Sequence, residues 1–208
     1  MDIVYIILGW LLGLLTSPLA LRIERKYRQK DYKFAIFSEL KIFAARSNMV
    51  FFKIRKHLGT LDKSSLEWIV KTYKQYDPDI NQELINVTKE LLETSDEEFE
   101  NKMNRFKAAE NISLGLKTFS LPLTDSLLEN ISILDSEFQR KILEIKAQVD
   151  MLNQEIENSK YYFNLTFNPE SLSINKDVLR TNIKSSYNMI QEKCKYIVGL
   201  ISEITNSK

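Results

Sequence analysis

Side chains able to do covalent or acid–base chemistry are few in this chain. It has one histidine, His57, and one cysteine, Cys194. Together they fall short of the four ligands a structural zinc takes. No Gly-x-Ser-x-Gly elbow presents a nucleophile, and the five glycines form no phosphate-cradling loop. His57 stands two residues before Gly59, at a helix end where an imidazole can satisfy terminal carbonyls. Cys194, at helical spacing from Ile190 and Ile197, has the surroundings of a small core residue. Asp96, Glu97, Glu98 and Glu100 could hold a cation, but they open a helix whose positive end attracts acids anyway. One cluster remains, Phe51-Phe52-Lys53-Ile54-Arg55-Lys56-His57. Cations interleaved with aromatics can pair phosphates and stack bases, so Phe51, Phe52, Lys53, Arg55, Lys56 and His57 form a candidate site for a nucleotide or single strand. The competing reading is that these cations complement the negative C-terminal end of their helix. No enzyme, metal or cofactor is expected from this set.

The strongest pattern lies elsewhere. Ile3 to Leu21 is a run of nineteen residues without a charge, followed at once by the basic RIERKYRQKDYK. As a helix this run is about 28 Å long, close to the thickness of a bilayer's hydrocarbon core. A cleaved signal peptide would want a positive N-terminus and small residues before the cut; here Asp2 follows Met1, and Pro18 and Arg22 flank Ala20. A retained single transmembrane helix over 3–21 is the expectation. Arg22, Arg25, Lys26 and Arg28 crowd its C-terminal flank, either as a pore mouth or against lipid headgroups. Basic residues stay cytoplasmic, so in the bacterial inner membrane the N-terminus should face out and residues 22–208 should lie in the cytoplasm. Tyr5 and Trp10 suit headgroup-level or lipid-facing positions.

Charge divides the remainder. Residues 22–58 carry eleven Lys and Arg against Glu24, Asp31 and Glu39, while residues 59–208 carry eighteen basic and twenty-four acidic residues. The first segment is a basic, membrane-proximal linker and amphipathic helix, with apolar side chains at Phe37, Leu40, Phe43, Ala44, Phe51, Ile54 and Leu58. It has no breaker before Gly59, so it can run on from the span, with Pro18 the expected kink. Residues 59–208 have helical period almost throughout. Ser64-Ser65-Leu66-Glu67 has the form of a capping box for a helix to about Tyr76. Asp77-Pro78 starts another to about Glu93, and Ser95-Asp96-Glu97-Glu98 a third to about Asn111. Residues 112–123 are apolar with Gly and Pro, a loop expected to pack on the bundle. A long helix is expected from Thr124 to about Phe163, with the core row Ile131, Leu134, Phe138, Ile142, Ile145, Val149, Leu152 and Ile156. After the Asn168-Pro169 turn comes a last helix through Leu179, Ile183, Tyr187, Ile190, Cys194, Ile197 and Ile201, antiparallel to it. The fold class is all-α: one membrane helix and a cytosolic multi-helix bundle.

Within the span, Gly9 and Gly13 form a GxxxG, which Ser17 continues and Thr16 flanks. Small residues let membrane helices approach closely, so copies should associate there. Four or more copies could line a pore with Gly9, Gly13, Thr16 and Ser17. The layout ILGWLLGLLTSP, then RIERKYR, then an all-helical body resembles the small single-span effectors of bacterial anti-phage defence, and among them the channel subunits of Hailong systems. The resemblance covers the architecture of the whole chain and is anchored in residues 7–28. It implies a homotetrameric channel, held shut by single-stranded DNA oligomers that a partner nucleotidyltransferase makes. The competing expectation is a membrane-tethered scaffold that binds a cytosolic protein through its helical faces.

Overall fold

The computed structural model describes residues 2–76, 82–106, 113–167 and 176–206, with the side chains at 2, 4, 6, 8, 11, 12, 14, 15, 17 and 82–84 outside that set. The described residues form seven α-helices and a 3-10 turn, with no strand. Helix α1 runs unbroken from Asp2 to Leu58, through Pro18. It ends where glycine permits a reversal. Gly59 has φ of 65°, its N–H donates to the Lys56 carbonyl, and the Thr60 N–H donates to the Arg55 carbonyl. That pair of bonds is a Schellman motif.

Helix α2 spans Lys63–Tyr76. Its cap is Asp62, not the Ser64 of the expected capping box: Asp62 accepts the Ser65 N–H at 2.7 Å and the Ser64 hydroxyl at 2.9 Å. Helix α3 spans Gln82–Glu93 and α4 spans Asp96–Phe106. The Asp77-Pro78 start, the Asn111 end and the Asn168-Pro169 turn all fall outside the described residues. Ser95 caps α4 through the Glu98 N–H, and Lys63 ties α2 to it by donating to the Thr94 carbonyl and pairing with Asp96.

The expected helix from Thr124 is in fact three pieces. Helix α5 is Pro122–Leu127, a 3-10 turn follows over Leu128–Ile133, and α6 is Ser136–Leu165. The break falls at Leu134, which is extended, and Asp135 then caps α6 by accepting the Phe138 N–H at 2.9 Å. Periodicity could not reveal this break, because Leu134 still reaches the core, 4 % exposed.

Helix α7, Lys176–Asn206, packs antiparallel to α6. Tyr196 donates to Glu144 and Lys193 to Gln148, so rising numbers on one helix meet falling numbers on the other. The C-terminal part of α1 lies against this pair. Ile36, Leu40, Phe43 and Ile54 share a core with Ile142, Ile145, Leu152, Ile156, Ile190 and Ile197. A second core joins Phe51 to Leu66, Ile69, Tyr73, Ile85, Phe99 and Met103 across α1 to α4. Each such side chain contributes roughly 1.5–3 kcal/mol by leaving water.

The 112–123 loop packs as expected. Leu116, Phe119 and Leu121 are buried. Asn153 of α6 takes the Phe119 N–H and donates to its carbonyl, each at 2.8 Å, and the Leu114 N–H donates to the Tyr187 hydroxyl. Among the described residues no helix is long and apolar enough to cross a membrane; most of the leucine, isoleucine and valine side chains of 3–21 lie outside that set.

Candidate functional site

The two ends of α1 carry the candidate sites. At the N-terminal end, Ile3, Tyr5, Ile7, Trp10, Leu19, Leu21 and Ile23 are each more than half exposed. Together they make an exposed apolar surface on several sides of the helix, the kind that marks membrane or protein contact. Gly9 and Gly13 are exposed, and a Cβ built on either would meet nothing within 4 Å. Thr16 is exposed, and its hydroxyl donates to the Gly13 carbonyl at 2.9 Å. The Ser17 side chain lies outside the described residues.

The four basic residues after the apolar run, Arg22, Arg25, Lys26 and Arg28, are all exposed, and two of them have partners in the chain. Arg28 pairs with Glu24 one turn back, and Arg25 reaches the body, donating to the Ser132 carbonyl at 3.3 Å. The first ion pair between α1 and the body follows, Lys33 with Asp135 at 2.6 Å. Both the Lys33 hydrogen bond and the Phe138 N–H hold the Asp135 carboxyl below its ordinary range.

At the C-terminal end, the six residues singled out as a ligand cluster do not share one surface. Phe51 is fully buried against Trp68, ring centroids 4.8 Å apart, and has no face free to stack a base. Phe52 is half-buried over the second core. Lys53 is exposed, while Lys56 is half-buried. Arg55 donates to the Thr60 carbonyl at 3.0 Å, faces Asp62 at 3.8 Å and lies over the Phe51 ring. It therefore serves the helix end, the role the sequence had offered to His57. His57 instead packs edge-on to Tyr187, 5.6 Å between centroids, and burial lowers its pKa.

What the fold does gather here is a different set. Lys195 of α7 lies over both Phe51 and Trp68, at 5.0 and 6.0 Å, so Phe51 has two cations near its ring and Trp68 one of them. Local sequence holds no signal for Lys195, which stands far from Phe51 along the chain. Glu39 was also missed. It is buried and accepts the Leu123 N–H, the Thr124 N–H and the Thr124 hydroxyl, fixing the start of α5. An acid inside an otherwise apolar helical row was its available signal.

Cys194 is fully buried, and burial pushes its thiol up to about 12. Among the described residues no group of three or more His, Cys, Asp or Glu could hold a metal ion. Comparison with protein families, with curated proteins and with solved structures found no match to this chain.

Proposed function

We propose that this chain is an oligomeric membrane effector of bacterial anti-phage defence, an ion channel gated from the cytosol by a nucleotide or oligonucleotide, and that it works by assembly and not by catalysis. The observation that carries the reading is α1. One unbroken helix joins an uncharged nineteen-residue stretch to the core of a folded body, and its apolar end has its large described side chains exposed. A bilayer covers such an end, since a lone helix in it satisfies its own backbone bonds. The exposed Arg22 and Lys26 favour an inner-membrane topology with the N-terminus out and the body cytoplasmic.

Association through Gly9 and Gly13 would bring Thr16 and Ser17 to a shared wall, with Arg22, Arg25, Lys26 and Arg28 at its mouth. The continuous helix gives the body a direct mechanical connection to that wall. Lys195 and Arg55, which lie over the Phe51–Trp68 pair, are the cations on which an anionic ligand would act, with the exposed Lys53 on another side of α1. The defence context, the tetramer, the DNA oligomer and the partner nucleotidyltransferase rest on the resemblance in residues 7–28.

Conductance of purified full-length protein in liposomes, with and without short single-stranded DNA, tests the proposal. The expected result is an ionic current that the oligonucleotide changes and that Gly9→Leu or Gly13→Leu abolishes. Because a Cβ at either glycine meets nothing in the single chain, that loss would report on assembly and not on folding. Absence of current, together with activity that survives exchange of residues 1–21 for an unrelated span, would favour the tethered scaffold.

A further inference from the structure

The exposed apolar surface of α1 does not stop where the uncharged stretch does. Ile23, Tyr27, Phe34 and Ile42 are 53, 66, 74 and 60 % exposed. At about 100° per residue they fall within one arc of roughly 100° along the helix. The arc is opposite to the side that meets the body, where Ile36, Leu40 and Ile54 are buried. Followed toward the N-terminus, it takes in Gly9, Gly13 and Thr16. At its other end Ile42 adjoins Leu123 across a shallow groove.

Lipid cannot cover all of this ridge. At 1.5 Å per residue, Phe34 and Ile42 lie roughly 20 and 32 Å beyond Leu21, past the reach of a bilayer whose core ends there. Charge on the two flanks indicates the occupant. Lys26 and Lys30 border the ridge on one side; toward its other edge stands Asp31, while Glu24 there is taken by Arg28. Lys30 and Asp31 are exposed, and among the described residues neither has a partner within the chain. Neighbours in sequence, they diverge too widely on a helix to pair with each other. Parallel copies related by rotation would turn Lys30 of one toward Asp31 of the next, at nearly the same height.

We infer that the ridge Ile23–Tyr27–Phe34–Ile42 is the cytosolic continuation of the self-association seam, occupied by a second copy of this chain, with Lys30 of one copy beside Asp31 of the next. The inference rests on the association proposed above. A single helix face about 29 Å long is narrower than the roughly 800 Å² per partner of a stable interface, so it adds to the contact in the span and sets its register.

The test is the mass of the full-length chain in detergent micelles across a dilution series, for the wild type, Asp31→Lys, Phe34→Glu and the exchange Lys30→Asp with Asp31→Lys. Circular dichroism melts confirm that each variant keeps its fold. The oligomeric fraction should fall about fivefold in Asp31→Lys and in Phe34→Glu, and return to the wild-type level in the exchange. An oligomeric wild type with both single variants unchanged overturns the seam and leaves the membrane effector standing. A loss in Asp31→Lys that the exchange does not restore also overturns the seam. A wild type that is a single copy at every concentration overturns seam and effector together.

Discussion

The two halves of α1 obey one backbone geometry and opposite surface rules. From Ile36 to Leu58 every third or fourth side chain disappears into a core, and Leu40, Phe51 and Ile54 have no exposed surface. From Ile3 to Ile23 the large described apolar side chains stay outside, with Trp10 68 % exposed. Hydrophobicity alone does not separate them. Patterning does: the C-terminal half alternates apolar with polar at helical period and so has one face to bury, whereas the N-terminal half has no polar face. A helix of the first kind asks for a protein core, one of the second for a different solvent.

Substitutions on the two halves should therefore differ in their effects. The largest effect is expected in the buried half. Leu40→Ala should destabilise the body by about 2–5 kcal/mol, while Phe34→Ala, on the exposed ridge, should shift the same denaturation midpoint by less than about 0.5 kcal/mol. Equal effects would erase the distinction. Glu39→Ala should cost about 3 kcal/mol, because it strands two backbone donors and the Thr124 hydroxyl at the start of α5. Thermal melts of the two proteins would measure it.

The border between the halves is the Lys33–Asp135 pair. Asp135 titrates below its ordinary value when folded, so its contribution is complete above about pH 4 and is lost as pH falls through the folded value. Asparagine caps a helix as well as aspartate does. Asp135→Asn should therefore remove only the ion pair, at most about 1 kcal/mol at neutral pH for a pair this exposed, and should flatten the acid limb of a stability–pH curve. The smallest signal is chemical. With its thiol near 12 and its side chain fully buried, Cys194 should resist a thiol reagent in the native protein at pH 8 and react in full once urea unfolds it.

Much of the fold was legible because burial follows period. The core rows of α1, α6 and α7, the stop at Gly59 and the packed 112–123 loop all rest on spacing or on one residue's conformational freedom. Errors came where two local signals competed. Ser64 and Glu67 imitate a capping box, but Asp62 lies nearer the start and accepts both serine donors. Asp135 announces a helix start that an uninterrupted apolar row conceals. The candidate site at the C-terminal end of α1 was the least legible. Arg55 and Phe51 are one turn apart on α1, but Trp68 of α2 and Lys195 of α7 reach them only through tertiary packing, whereas Phe51-Phe52-Lys53 were adjacent in sequence and were separated by burial.

The most direct test of the central claim is the state of the untagged full-length chain after cell lysis. It should stay with the membrane fraction through alkaline carbonate washing, and detergent should release it at a mass several times that of one copy. Recovery from the aqueous fraction, uncleaved and as a single copy without detergent, would contradict that claim.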